Sequence, residues 1–399
     1  MTEHCRVEHA WDGIRRVDLE RPSSRKWSLH PGTIGAWVAE MDFGTAGPVK
    51  EALRRAVDDD VLGYLSPATA AELAEATADW QRSEFSWRVD PDRVHAVSDV
   101  MAALGVAVEE YSPAGSAVIV PTPAYMPFLS YLETLGRQVV QVPGVVIDGR
   151  WQHDLDAIDA ALAAGARTLV LCNPHNPTGT VLPRAELERI AELVERHGAR
   201  VFADEIHASI RVDGHEHVPY ASVSPAAAAH TNTGTSASKA WNIPGLKAAQ
   251  LITSNDADEA VYRRFGLAVA HGASTLGVVA STAAYREGKP WLEDALGYLQ
   301  RNRDLLATRI AERLPDVRWR PPEATYLAWL DLGGLGLGAA SRATLLRERA
   351  GVTLTDGALC GAGSEQHVRL VFATPAPVLD EAVDRIAAAL QPAGAGAAR

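Results

Sequence analysis

Across residues 50–285, short apolar runs alternate with longer stretches that carry apolar residues at every third or fourth position, and this alternation leaves few folds open. The runs are Ala117-Val118-Ile119-Val120, Thr168-Leu169-Val170-Leu171-Cys172 and Arg200-Val201-Phe202-Ala203. Each is short and apolar at successive positions, the pattern of a strand covered on both faces. Between the last two, residues 183–197 place Leu187, Ile190, Ala191 and Val194 on one helical face, with charges between them and Gly198 at the end. Strand, amphipathic crossover, strand predicts an α/β fold: a mostly parallel sheet with helices on its faces.

The style changes near residue 286. Residues 293–314 read as a long helix, 325–332 as an aromatic-rich strand and 368–373 as a further strand before a closing helix. This divides the chain into an N-terminal segment, 1–48, packing with the small domain; a large domain, 49–285; a smaller α+β domain, 286–390; and a frayed Pro-, Ala- and Gly-rich tail, 391–399. Glycines at alternate positions in 333–338 lack the strand-to-helix setting of a dinucleotide fingerprint and read as a loop.

Composition closes off other classes. A chain of 399 residues, 47% hydrophobic, buries a large core. A formal net charge of −12 argues against nucleic acid and anionic membranes as partners. Cys5, Cys172 and Cys360 lie far apart with no C-x-x-C pairing, which suggests neither a disulfide framework nor a zinc site. The first twenty residues lack a continuous apolar core and no run reaches membrane-spanning length, so a cytoplasmic location is expected.

In a sheet of this type ligands gather at the carboxyl ends of the strands. Three segments there have complementary chemistry. Asn173-Pro174-His175-Asn176-Pro177-Thr178-Gly179 follows one strand, Asp204-Glu205-Ile206-His207 ends the next, and Ser236-Ala237-Ser238-Lys239 sets small hydroxyl residues around a lysine, with Lys247 eight positions on. Taken singly, the first is a proline turn, the second a capping carboxylate and the third a surface lysine. As an ordered set, together with Trp37-Val38-Ala39-Glu40-Met41-Asp42-Phe43, Gly63-Tyr64, Pro121-Thr122-Pro123-Ala124-Tyr125, Thr325-Tyr326-Leu327-Ala328-Trp329-Leu330 and Val368-Arg369-Leu370-Val371-Phe372-Ala373-Thr374-Pro375, they resemble the fold-type I pyridoxal-phosphate (PLP) aminotransferase superfamily over nearly the whole chain. Within it the likeness is to the MalY/PatB group of cystathionine β-lyase-like carbon-sulfur lyases.

The resemblance implies a seven-stranded-type sheet, pyridoxal 5'-phosphate as cofactor, an amino-acid substrate and a homodimer with a shared active site. It implies Lys239 as the residue that holds the cofactor and moves the proton, a task suited to an amine whose pKa is lowered by its surroundings. By the same resemblance, Asp204 keeps the pyridine nitrogen protonated, His207 and Asn176 approach the ring oxygen, and Tyr125 stacks on the ring. The backbone amides of Val100 and Met101, with Ser236, Ser238 and Lys247, are expected on the phosphate, and Tyr64 reaches it from the second subunit. Arg369 forks onto the substrate carboxylate, with Asn176, Ala39 and Tyr125 alongside.

Two positions depart from the group's pattern. Leu65 follows Gly63-Tyr64 where threonine is usual, and Ala358-Leu359-Cys360-Gly361 lacks the common aromatic before glycine. Elimination of a thiol from an S-substituted L-cysteine is the expected reaction, in the tailoring of sulfur-containing natural products. Decarboxylation with oxidation to an aldehyde, transamination, and a non-catalytic regulatory binding role stay open as alternatives.

Overall fold

The structure is a computed structural model that describes residues 9–338 and 341–390; residues 1–8, with Cys5, and the tail 391–399 lie outside the described residues. Seven strands form the central sheet: β1 (Val94–Val97), β2 (Val118–Thr122), β3 (Val139–Pro143), β4 (Thr168–Cys172), β5 (Arg200–Asp204), β6 (Thr231–Thr235) and β7 (Ala249–Thr253). Their order is β1-β7-β6-β5-β4-β2-β3, parallel except for β7, which runs against both neighbours. The expected α/β fold with a mostly parallel sheet is what forms.

Helices cover both faces, so β4 and β6 are buried at every position. The crossover from β4 to β5 is the helix Arg184–Arg196, with Leu187, Ile190, Ala191 and Val194 turned inward and Gly198 taking a positive φ of 57° just past its end. That is the αL cap a glycine adopts without strain. Gly234 in β6 has a different reason: a Cβ there would lie 2.7 Å from the Phe202 ring and 3.0 Å from Val100. Its absence lets the start of the helix Val100–Glu110 settle close over β5 and β6.

The long helix Lys289–Arg313 leads into a second unit, in which β8 (Leu327–Asp331), β9 (Thr355–Asp356) and β10 (His367–Val371) form an antiparallel sheet in the order β8-β10-β9. The closing helix Ala376–Leu390 shares one apolar core with the long helix and with β8 and β10. The N-terminal segment joins this side: Ile34–Gly35 pairs in parallel with Val352–Thr353, and Trp11 stacks on Phe43 at 4.6 Å. In 333–338, read above as a loop, Gly333–Leu335 forms a 3-10 turn. Among the described residues no helix is long and apolar enough to cross a membrane, and no cluster of His, Cys, Asp or Glu could hold a metal.

A buried ion pair fixes the N-terminal segment across the site. Lys26 Nζ lies 2.8 Å from Asp42 Oδ2, donates also to the Glu40 carbonyl at 3.1 Å, and Asp42 Oδ1 accepts the Trp27 indole N–H at 2.9 Å. Both charged side chains are buried. Lys26→Met leaves Asp42 an uncompensated buried charge, and the expected loss is about 3–5 kcal/mol of unfolding free energy, read from the denaturant midpoint.

Candidate active site

The carboxyl ends of β4, β5 and β6 lie side by side. Cys172 pairs with Asp204 and Asp204 with Gly234, and the ladder continues through Asn173 N–H to the Asp204 carbonyl (3.0 Å) and Glu205 N–H to the Gly234 carbonyl (2.9 Å). This register brings the 173–179 loop, the 204–207 turn and the 236–239 segment to one edge, so three motifs spread over some 65 residues of sequence share a single site.

Lys239 is half-buried, and its amine donates to the Ala39 carbonyl at 3.0 Å. Burial, with the Arg369 cation in the same field, brings it from the ordinary 10.5 down to about 8, against the opposing pull of Glu40 and Asp204. About a tenth of the amine is therefore free at pH 7, far more than for an ordinary lysine. Asp204 is buried, and its carboxyl is pushed up to about 7 by desolvation despite a 3.1 Å hydrogen bond from the Ile206 N–H. A carboxylate so poised binds a proton or a cationic N–H strongly.

His207 is buried, held down to about 3 by desolvation and by the charges of Lys239 and Arg369, and its Nδ1 has no hydrogen-bond partner among the described residues. Its neutral ring meets Tyr326 edge-on at 6.1 Å. Tyr125 and Asn176 line one small chamber, with the Tyr125 ring edge-on to Phe128.

Arg369, on β10, is 3% exposed. It donates to Asn176 Oδ1 (3.0 Å), the Trp37 carbonyl (3.0 Å) and Thr355 Oγ1 (3.2 Å), while Nε stays without a partner and no carboxylate pairs with it among the described residues. A buried guanidinium held only by neutral groups is a receptor for an anion. The sequence marks Trp37 as part of a motif but not its role here, which runs through a main-chain carbonyl, and it does not mark Thr355, which comes from a two-residue strand.

At the other end of the site the helix Val100–Glu110 begins with the amides of Val100 and Met101, which have no acceptor within the helix. Its cap Asp99 accepts the Ala102 N–H at 2.8 Å and pairs through its other oxygen with Lys247. The Ser236 hydroxyl donates to the Ala248 carbonyl at 2.8 Å and accepts the Ser238 N–H at 3.0 Å, so its proton is already engaged. Tyr64 stands apart within the chain, 93% exposed and stacked on His271. Of the two departures, Leu65 packs on the main core; Cys360 is fully buried, its thiol pushed up to about 11 by burial, and Leu359 is 59% exposed.

These residues suit the cofactor named above. The orphaned Nδ1 of His207, the buried Asp204 carboxyl and the low-pKa amine of Lys239 complement, respectively, a ring oxygen, a ring N–H and an aldehyde. The family described as aminotransferase class I and II matches residues 38–386. The chain belongs to that family. Within it, the chain is 38% identical over 381 residues to the cystathionine β-lyase of Corynebacterium glutamicum, covering 94% of this chain and all of that one. It is 33% identical over 359 residues to the cystathionine β-lyase PatB of Bacillus subtilis, covering 89% and 92%. Among solved structures of the same fold type I, the PLP-bound C–S lyase of Staphylococcus hominis in complex with L-cycloserine superposes with a TM-score of 0.87 at 28% identity, covering 96% of this chain and 99% of that one.

Proposed function

We propose that this protein is a PLP-dependent carbon-sulfur β-lyase that converts an S-substituted L-cysteine and water to a thiol, pyruvate and ammonia in the cytoplasm. The observation that carries the reading is a lysine amine held on the Ala39 carbonyl and brought down to about 8, within the electrostatic reach of the buried acid Asp204 and of a buried arginine that has no carboxylate partner among the described residues. PatB and the C. glutamicum relative are named as lyases, which favours elimination over transamination.

When bound, the cofactor supplies an electron sink next to the substrate's alpha carbon. Arg369 holds the alpha-carboxylate with its two-pronged N–H geometry, helped by Asn176, which already shares a hydrogen bond with it. Asp204 would keep a proton on the ring nitrogen, and His207, neutral and with no partner on Nδ1 among the described residues, would bond the ring oxygen. The Lys239 amine takes the alpha proton and returns a proton to the departing sulfur, general base then general acid at one nitrogen. Val100, Met101, Ser238 and Lys247 would hold the phosphate. Tyr64, with Leu62 beside it also exposed at 62%, supports completion of that end by a second copy of the chain.

The test combines a cofactor readout with a product readout. Borohydride reduction of the purified protein is expected to leave a phosphopyridoxyl group on the peptide containing Lys239. Incubation with an S-alkyl-L-cysteine is expected to release thiol and pyruvate in equal amounts. An aldehyde with loss of carbon dioxide would instead establish the decarboxylating course, and an accumulating amino form of the cofactor would establish transamination.

A further inference from the structure

The carbonyl of Ala39 accepts two hydrogen bonds: one from Lys239 Nζ at 3.0 Å, the other from the Tyr326 hydroxyl at 2.9 Å. Tyr326 is fully buried, and its hydroxyl has no other partner among the described residues. It stands immediately before β8 and immediately after Thr325, a β-branched residue at a φ of +69°. That conformation is costly for such a side chain and persists only where its surroundings enforce it. Thr325 is held there by its N–H on the Ile210 carbonyl and by its hydroxyl, which accepts the Leu327 N–H. Through Leu327, paired with Val371, and the Phe372 N–H on the Tyr326 carbonyl, the same strand is tied to β10, which carries Arg369. Tyr326 therefore connects the strand that carries the anion receptor to the acceptor on which the lysine rests.

We infer that Tyr326 is a positioning residue for Lys239: its hydroxyl occupies the Ala39 carbonyl so that the lysine amine rests there weakly and is free to leave. Two donors on one carbonyl oxygen each bond it less well than either would alone, because the first withdraws the electron density that the second needs. A hydrogen bond to the charged ammonium favours the protonated lysine, so relaxing that bond also favours the free amine. Asp204, Glu40 and Arg369 act on the same amine through space, but Tyr326 acts through its acceptor. The inference rests on Lys239 as the cofactor lysine and is independent of which substrate bond breaks.

The experiment uses Tyr326→Phe, which keeps the ring and its packing against His207. In the cofactor-free protein, pH-dependent acylation of Lys239, mapped by peptide mass, is expected to show a midpoint near 8 in the wild type and a higher one in the variant, with labelling at pH 7.5 slowed about threefold or more. In the loaded enzyme, kcat is expected to fall about tenfold with KM nearly unchanged. An unchanged labelling midpoint with kcat within twofold of wild type overturns the inference. Should the phenylalanine variant fail to fold, 3-fluorotyrosine at the same position, a stronger donor, is expected to move the midpoint down, and no movement there counts equally against it. Failure of the cofactor assignment is separate: it would appear as absence of the borohydride adduct, while the labelling midpoint still reports on Tyr326.

Discussion

Lys239→Ala is expected to lower kcat on S-alkyl-L-cysteines by at least about 10³-fold and to abolish the borohydride-stable adduct, because one nitrogen serves as anchor, base and acid. Lys239→Arg separates charge from chemistry. The guanidinium retains a cation near Asp204 and a donor toward the Ala39 carbonyl, so folding is expected to match the wild type. It cannot give up its proton near neutral pH, so turnover is expected to be as low as in the alanine variant. The wild-type amine sets the pH dependence. Its pKa is depressed to about 8, the free base is the form that captures the cofactor, and capture by the cofactor-free protein should therefore rise with pH through about 8 and then level off. An arginine variant that turns over substrate at a tenth of the wild-type rate would show that the base lies elsewhere.

The parts of this site that were legible in the sequence are those whose residue types announce themselves. β4 and β5 each carry an unbroken apolar run, residues 169–172 and 201–203, and the motifs that follow sit where a parallel sheet must place its ligands. β6 was not legible as a strand: Thr231-Asn232-Thr233-Gly234-Thr235 is polar by composition yet buried at every position, because its amides complete the ladder and its small side chains fit beneath the helix Val100–Glu110. Pattern reading by hydrophobicity passes over such a strand. The helix expected over residues 293–314 starts a turn earlier, at Lys289, with Pro290 in its first turn. The contacts that aim Lys239 and Arg369, from the carbonyls of Ala39 and Trp37, were invisible for a different reason: any residue can offer a carbonyl, and only the folded path of the N-terminal segment decides which ones arrive. The Lys26–Asp42 pair that steers this path joins positions sixteen apart, with nothing in either residue's neighbourhood to mark it.

Arg369→Met is expected to reduce kcat/KM by about 100-fold or more while leaving the thermal midpoint at or above that of the wild type, and the opposition of the two effects is the informative part. The guanidinium is 3% exposed, makes three hydrogen bonds to neutral acceptors and leaves Nε unbonded, with no carboxylate partner among the described residues. Three bonds to neutral groups offset only part of the desolvation of a full charge, so the folded protein bears a cost that methionine, of similar length and apolar, would remove. The cost is recovered when a substrate carboxylate enters, because a charge-assisted, two-pronged pair forms in a site already stripped of water. Two such bonds at about 1.5–3 kcal/mol each set the scale of the expected loss. Arg369→Lys distinguishes charge from shape: it keeps the cation but not the fork, and it should recover only a small part of the activity. If Arg369→Met instead lowers the thermal midpoint sharply and kcat/KM falls only in proportion to the folded fraction, the arginine is a structural charge, and the substrate carboxylate must be received by other groups.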